Sequence, residues 1–134
     1  MREILFRGKR IDNGEFTYGN IMIPRFGGET CIVEQDAPFH SFVYEVAPST
    51  IGQFTGLTDK NGKKIFEGDI VEPVLIEGTH QGFSWGRQVV VFDRGAFGLK
   101  SRREEITPMC NYAANVQFEV IGNIHDNPEL LEAQ

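Results

Sequence analysis

One stretch gathers most of the residue types that bind phosphate or metal. GQFTGLTDKNGKKIFEGDIV, residues 52–71, holds glycines at 52, 56, 62 and 68, a Lys63-Lys64 pair, and the carboxylates Asp59, Glu67 and Asp69. A Walker-type phosphate loop needs four residues between its glycines, then Lys and Ser or Thr, then a helix whose N–H groups face the phosphate. Here five residues separate Gly56 from Gly62, Lys63 is followed by Lys64, and the next residues read as strand. A calcium loop starting at Asp59 fails as well. Its glycine arrives at the fourth position instead of the sixth, and Ile70 stands where a bidentate Glu is required. A looser acidic site built from Asp59, Glu67 and Asp69 has only its charge to recommend it. No metal ligand and no cofactor-binding residue is assigned. The structural alternative needs nothing special: Asp59–Gly62 is a tight turn with Gly62 at positive φ, and Glu67-Gly68-Asp69 is a second turn that feeds Ile70-Val71.

Other chemistries are no better supported. His40, His80 and His125 lie in separate segments. Cys31 with His40, or Cys110 with His125, would be the nucleophile–base pairs if folding brought them together. Neither has a local signature, and neither cysteine has partners at zinc-ligand spacing. Glu67 and Asp69 flank a glycine turn, and Glu104-Glu105 would point to opposite faces of a strand. No catalytic residue is assigned, and the expectation is a protein that is not an enzyme. Met-Arg-Glu precedes only a short apolar run, and no stretch reaches transmembrane length. A cytoplasmic protein with free thiols is expected, with no membrane contact.

The formal charge of −6 opposes long-range attraction to phosphate backbones. Arg2, Arg7, Lys9 and Arg10 form one basic group; Lys100, Arg102 and Arg103 form another, largely cancelled by Glu104 and Glu105. If Arg87 and Arg94 joined them in one groove, a barrel face could bind single-stranded nucleic acid. Phe83 and Trp85, with Arg87 nearby, sit in or beside the glycine-rich loop EGTHQGFSWG, residues 77–86. They are the candidate contact residues for a protein partner, although Trp85 could equally cover the mouth of a barrel.

The elements that must position these residues are mostly strands. Eleven Phe and fifteen Gly in 134 residues favour short strands between turns. Asn13-Gly14 predicts a two-residue hairpin turn, flanked by Ile4, Phe6 and Gly8 and by Phe16, Tyr18 and Asn20. Further strands are expected at 30–34, at 39–47 with alternation from Phe42 onward, around Ile65-Phe66 and Ile70-Val71, at 88–92, at 96–100 and at 116–124. Pro73 implies an edge or a bulge, and Asp93-Arg94-Gly95 a second hairpin. Phe66, Phe92, Phe97 and Phe118 are expected in the core. Asn127-Pro128-Glu129 reads as the start of a helix two turns long. A small barrel or a pair of β lobes fits, with 48–56 as the boundary.

TGLTDKNGKKIFEGDIV at 55–71, REILFRGKR at 2–10 and FEVIGNIHDNPELL at 118–131 resemble, in order and spacing, the central, opening and closing motifs of the YopX protein family. The resemblance implies a mainly β protein from a phage or integrated prophage. It implies that the C-terminal part is an SH3-like β-barrel; joined to the hairpin and helix signals of the residues, this gives an N-terminal β lobe with a hairpin, residues 1–50, and a barrel with a short C-terminal helix, residues 51–134. It carries no catalytic residue to this chain. Thr55-Gly56-Leu57, Asn61-Gly62 and Glu67-Gly68-Asp69 read as turns and junctions, as does Gly14. The expected role is a non-enzymatic interaction module for an unidentified host or phage protein, with contacts from 78–86 and 24–42. Self-association through strand edges is also expected. A single-stranded nucleic-acid-binding barrel and an enzyme with a Cys/His or acidic site are the alternatives.

Overall fold

The computed structural model describes residues 3–24, 27–75, 86–112 and 116–132. The chain forms two compact units, Met1–Phe54 and Thr55–Gln134. It is mainly β: two antiparallel sheets and one short helix.

In the first unit, β1 (Phe6–Lys9), β2 (Phe16–Met22), β3 (Cys31–Ala37) and β4 (His40–Glu45) are followed by a 3-10 turn and β5 (Gly52–Thr58), which crosses into the second unit. Their order in the sheet is β4-β3-β2-β1-β5. The Asn13-Gly14 hairpin forms, but not with a two-residue turn. The Arg10 N–H donates to the Glu15 carbonyl, leaving residues 11–14 as a four-residue loop with Gly14 at φ 73°. Its register sets Gly8 opposite Thr17, Arg7 opposite Tyr18 and Lys9 opposite Phe16. Thr17, Ile32 and Val46 are buried. Phe16 instead supports cations: the Arg7 guanidinium lies 4.3 Å and the Lys9 ammonium 4.6 Å from its ring centroid.

In the second unit, β6 (Lys64–Phe66) lies beside β5. β7 (Asp69–Leu75), β8 (Gln88–Asp93), β9 (Ala96–Lys100), β10 (Ile106–Pro108) and β11 (Val116–Asn123) form a sheet in the order β10-β9-β8-β7-β11. Among the described residues no ladder joins β10 to β11. The β8–β9 turn is Arg94-Gly95, at φ 51° and 81°, the pair of positive values that a type I′ hairpin requires. Pro73 is fully buried. It lies just past Ile70 and Val71, the residues through which β7 pairs with β8, where an N–H is not needed for that ladder.

Ile65, Val71, Val90, Leu99 and Met109 form the core of this unit, with Phe97, Tyr112, Phe118 and Val120 packed around them. Each buried aliphatic side chain contributes about 1.5–3 kcal/mol. Phe66 is buried as expected, but Phe92 is 54% exposed. It shares the core-facing phase of β8 with Val90, yet sits near the hairpin tip, beyond the reach of the core. Helix α1 (Glu129–Glu132) is one turn, shorter than the two expected. It packs over Gly122, where an added Cβ would come within 2.9 Å of Leu130.

Candidate functional site

The two turns of the 52–71 stretch are held by their own carboxylates. Asp59 is almost wholly buried. Its Oδ1 accepts N–H bonds from Asn61 and Lys63, both at 2.9 Å, and its Oδ2 accepts the Val120 N–H at 3.0 Å. The Lys60 N–H donates to the Phe118 carbonyl at 2.8 Å. The turn therefore covers the outer edge of β11. Burial alone would raise the Asp59 pKa; the N–H bonds from Val120, Lys63 and Asn61, with the Lys63 charge, outweigh it and hold the carboxyl below its ordinary value. Asp69 is fully buried, and its Oδ2 accepts the Phe66 N–H at 2.8 Å. Between these carboxylates, the Gly68 N–H donates to Val90 and its carbonyl accepts from Ile124. Gly62 and Gly68 have φ of 81° and 88°. Gly56, expected in a turn, lies inside β5 with φ 89°, so the strand bends there instead of ending. These carboxylate oxygens serve backbone donors, which makes the stretch an architectural device.

The other candidates are dispersed. His40 Nδ1 pairs with the Asp36 carboxylate. Cys31 lies opposite Glu45, at the other end of the β3–β4 hairpin from His40. Five positions of β4 separate Glu45 from His40, about 17 Å, so Cys31 and His40 do not form a nucleophile pair. Cys110 Sγ is 3.7 Å from Asn111 Oδ1, and the His125 N–H donates to Asn123 Oδ1. Among the described residues, no three His, Cys, Asp or Glu side chains are grouped to hold a metal. No helix of the described residues is long and apolar enough to cross a membrane.

Several of the basic residues have acidic neighbours. Arg10 forms a two-point pair with Asp12, with Nη2 2.7 Å from Oδ2; Arg94 lies 3.7 Å from Asp93, and Lys100 3.9 Å from Glu104. Arg7 is buried. Arg2, Phe83 and Trp85 fall outside the described residues. Arg87 lies 3.5 Å from Glu72 and donates to the Leu130 carbonyl at 2.9 Å. With Arg102, Arg103, Gln88 and Tyr112 it lines an open depression of about 320 Å³, to which Glu105 also contributes. Burial raises the Tyr112 phenol pKa, while hydrogen bonds to Gln88 and Thr107 oppose that shift.

The exposed apolar side chains instead gather in the first unit. Phe39 stands at φ 64° at the tip of the β3–β4 hairpin and is fully exposed. Phe42 is 43% and Val43 52% exposed along β4, and Tyr18 and Met22 on β2 are also exposed. His40, Phe42 and Tyr44 form an aromatic row, with centroid spacings of 5.0 and 6.2 Å. Phe39 and Phe42 fall within the 24–42 stretch expected to make contacts. Tyr18 and Met22 do not, because the alternation in β2 does not reveal which of its faces the rest of the chain covers.

Antiparallel strands in two units, the second with carboxylate-locked turns, define a class of small two-part β protein. The chain belongs to the YopX family: the family described as YopX protein matches residues 7–132. Two solved structures share the fold. Protein EF1440 from Enterococcus faecalis is 24% identical, with a TM-score of 0.57, over 98% of this chain and 99% of that one. Protein yopX from Bacillus subtilis is 18% identical, with a TM-score of 0.59, over 100% and 99%. Comparison with curated proteins gives no match.

Proposed function

We propose that this is a non-enzymatic protein-interaction module, encoded by a phage or prophage and acting in the host cytoplasm through an unidentified host or phage protein. The observation that carries the proposal is the exposed aromatic β3–β4 hairpin, with Phe39 fully in solvent beside Phe42 and Val43. Exposed apolar side chains gathered on one hairpin, with Phe42 and Val43 on its two faces, are the kind of surface that marks interaction sites. The antiparallel sheet of the second unit around a single core supports the SH3-like barrel implied by the family resemblance. In this reading that barrel is a platform, and Phe83, Trp85 and Arg87 are a further contact element.

The test is affinity capture from host lysate, with and without nuclease, using wild type, Phe39→Asp and Phe83→Ala/Trp85→Ala. A defined protein retained after nuclease and lost from Phe39→Asp is the expected result. Its retention by both variants would remove both surfaces from the proposal. A second reading, binding of single-stranded nucleic acid, has one observation in its favour: Arg87, Arg102 and Arg103 converge on the same depression. Capture that disappears with nuclease and with Arg102→Ala/Arg103→Ala would favour it.

A further inference from the structure

We propose that β4 is a self-pairing edge: two copies of the chain join their β4 strands antiparallel about a two-fold axis passing between the two Phe42 residues. This deepens the interaction reading above by making one partner a second copy.

The hydrogen-bond phase of β4 is fixed at its C-terminal end. The Val46 N–H donates to Thr30 and the Ile11 N–H donates to the Glu45 carbonyl. Backbone groups alternate in direction along a strand. Phe42 and Tyr44 therefore turn their N–H and C=O groups toward Glu34 and Ile32 of β3, the residues they oppose. Ser41 and Val43 turn theirs away from the sheet. β4 is the outer strand of its sheet, and both residues are exposed. Natural edges are usually blunted by Lys, Pro or a bulge. HSFVYE contains neither Lys nor Pro, and the register shift of this hairpin lies in β3, between Gln35 and Ala37.

For a second copy, the same geometry selects the register. An antiparallel pair centred on Phe42 sets Ser41 opposite Val43 of the second copy and Val43 opposite its Ser41. Each of those four residues supplies one outward N–H and one outward C=O, so four hydrogen bonds form with none left over. Phe42 meets its own copy at the close, non-hydrogen-bonded spacing that favours aromatic pairs. His40 lies opposite Tyr44. Glu45, the one acidic residue of β4, lies beyond the paired span, because the Arg10–Val46 bridge sets Ile11 against its outer side and Phe39 of the other copy belongs to the hairpin turn. A pairing centred on Val43 would require the Glu45 carbonyl, which Ile11 already holds. The edge is thus self-complementary, as an isologous two-fold interface must be.

Sedimentation velocity and light scattering on purified protein test this without any other partner. Wild type is expected to reach twice the 15.1 kDa of one chain. Val43→Pro removes an outward N–H and leaves the β3 ladder intact, so it is expected to stay at the one-chain mass. Should that variant not fold, Ser41→Lys/Val43→Lys places like charges across the axis at exposed positions and is expected to have the same effect. In a Cys31→Ser/Cys110→Ser background, Phe42→Cys is expected to oxidise to a covalent dimer. A wild type that keeps the one-chain mass at its highest soluble concentration overturns the proposal. So does a dimer that persists in a folded Val43→Pro or double-lysine variant. Because no lysate is involved, either failure stands apart from the outcome of the capture experiment.

Discussion

The two units spend their residues differently. In the second, Ile65, Val71, Val90, Leu99 and Met109 close into one core, and the buried carboxylates Asp59 and Asp69 are committed to backbone N–H groups. In the first, Ile32, Val46 and Phe54 are the buried apolar side chains among the described residues, while Phe39, Phe42 and Val43 are exposed on one hairpin. The long family signature lies almost entirely in the second unit. The contrast teaches that the most recognisable motif marks where the fold is built, and that the most exposed apolar side chains lie elsewhere.

The largest effect should come from the second core. Leu99→Ala empties a fully buried position and is expected to cost about 2–5 kcal/mol in chemical denaturation. A loss below about 1 kcal/mol would mean that this core is not the anchor. Next comes Asp59→Asn. The amide keeps one acceptor but turns an NH₂ toward the Asn61 and Lys63 donors or toward the Val120 donor. Loss of charge-assisted bonds should cost about 2–3 kcal/mol at neutral pH.

The same carboxylate predicts a pH dependence. Its folded pKa lies below its unfolded one. Its stabilisation is therefore present above the unfolded value of about 3.9 and is lost as pH falls through the folded value. Denaturation curves at successively lower pH should show a steeper acid loss for wild type than for Asp59→Asn; parallel slopes would remove Asp59 as the acid-sensitive lock. Gly122→Ala forces a Cβ to 2.6 Å from Asn127 Oδ1 and should loosen α1 at a cost of about 1–2 kcal/mol, read by thermal melting. The smallest change belongs to the first unit. Phe39→Ser should alter stability by no more than about 0.5 kcal/mol, since its side chain lies in solvent. A large loss there would break the division between a unit built around a closed core and a hairpin whose side chains face solvent.

Much of this architecture was legible in the residues. Asp59–Gly62 and Glu67-Gly68-Asp69 announced turns because glycine at positive φ and short polar side chains have few other uses. The alternation in VQFEVIGNI and the Asp93–Ala96 hairpin likewise predicted β11 and the β8–β9 pair. Local rules failed where distant chain decides. Phe92 has the right phase for the core but lies past its end, and Gly56 bends a strand instead of closing a turn. Asn127-Pro128-Glu129 does open a helix, but of one turn instead of two, and the Asn127 Oδ1 accepts the Asn123 N–H at 3.3 Å.

The sequence by itself determined the mainly β character, the turn positions and the family, because each rests on backbone preferences and motif order within short spans. Tertiary structure alone decided that Asp59 would lock onto Val120, sixty-one residues away, that Cys31 and His40 would lie at opposite ends of one hairpin, and that β4 would be an edge. Those outcomes depend on strand register and neighbour choice, which are set by long-range pairing and burial and leave no periodic trace in the segments they join.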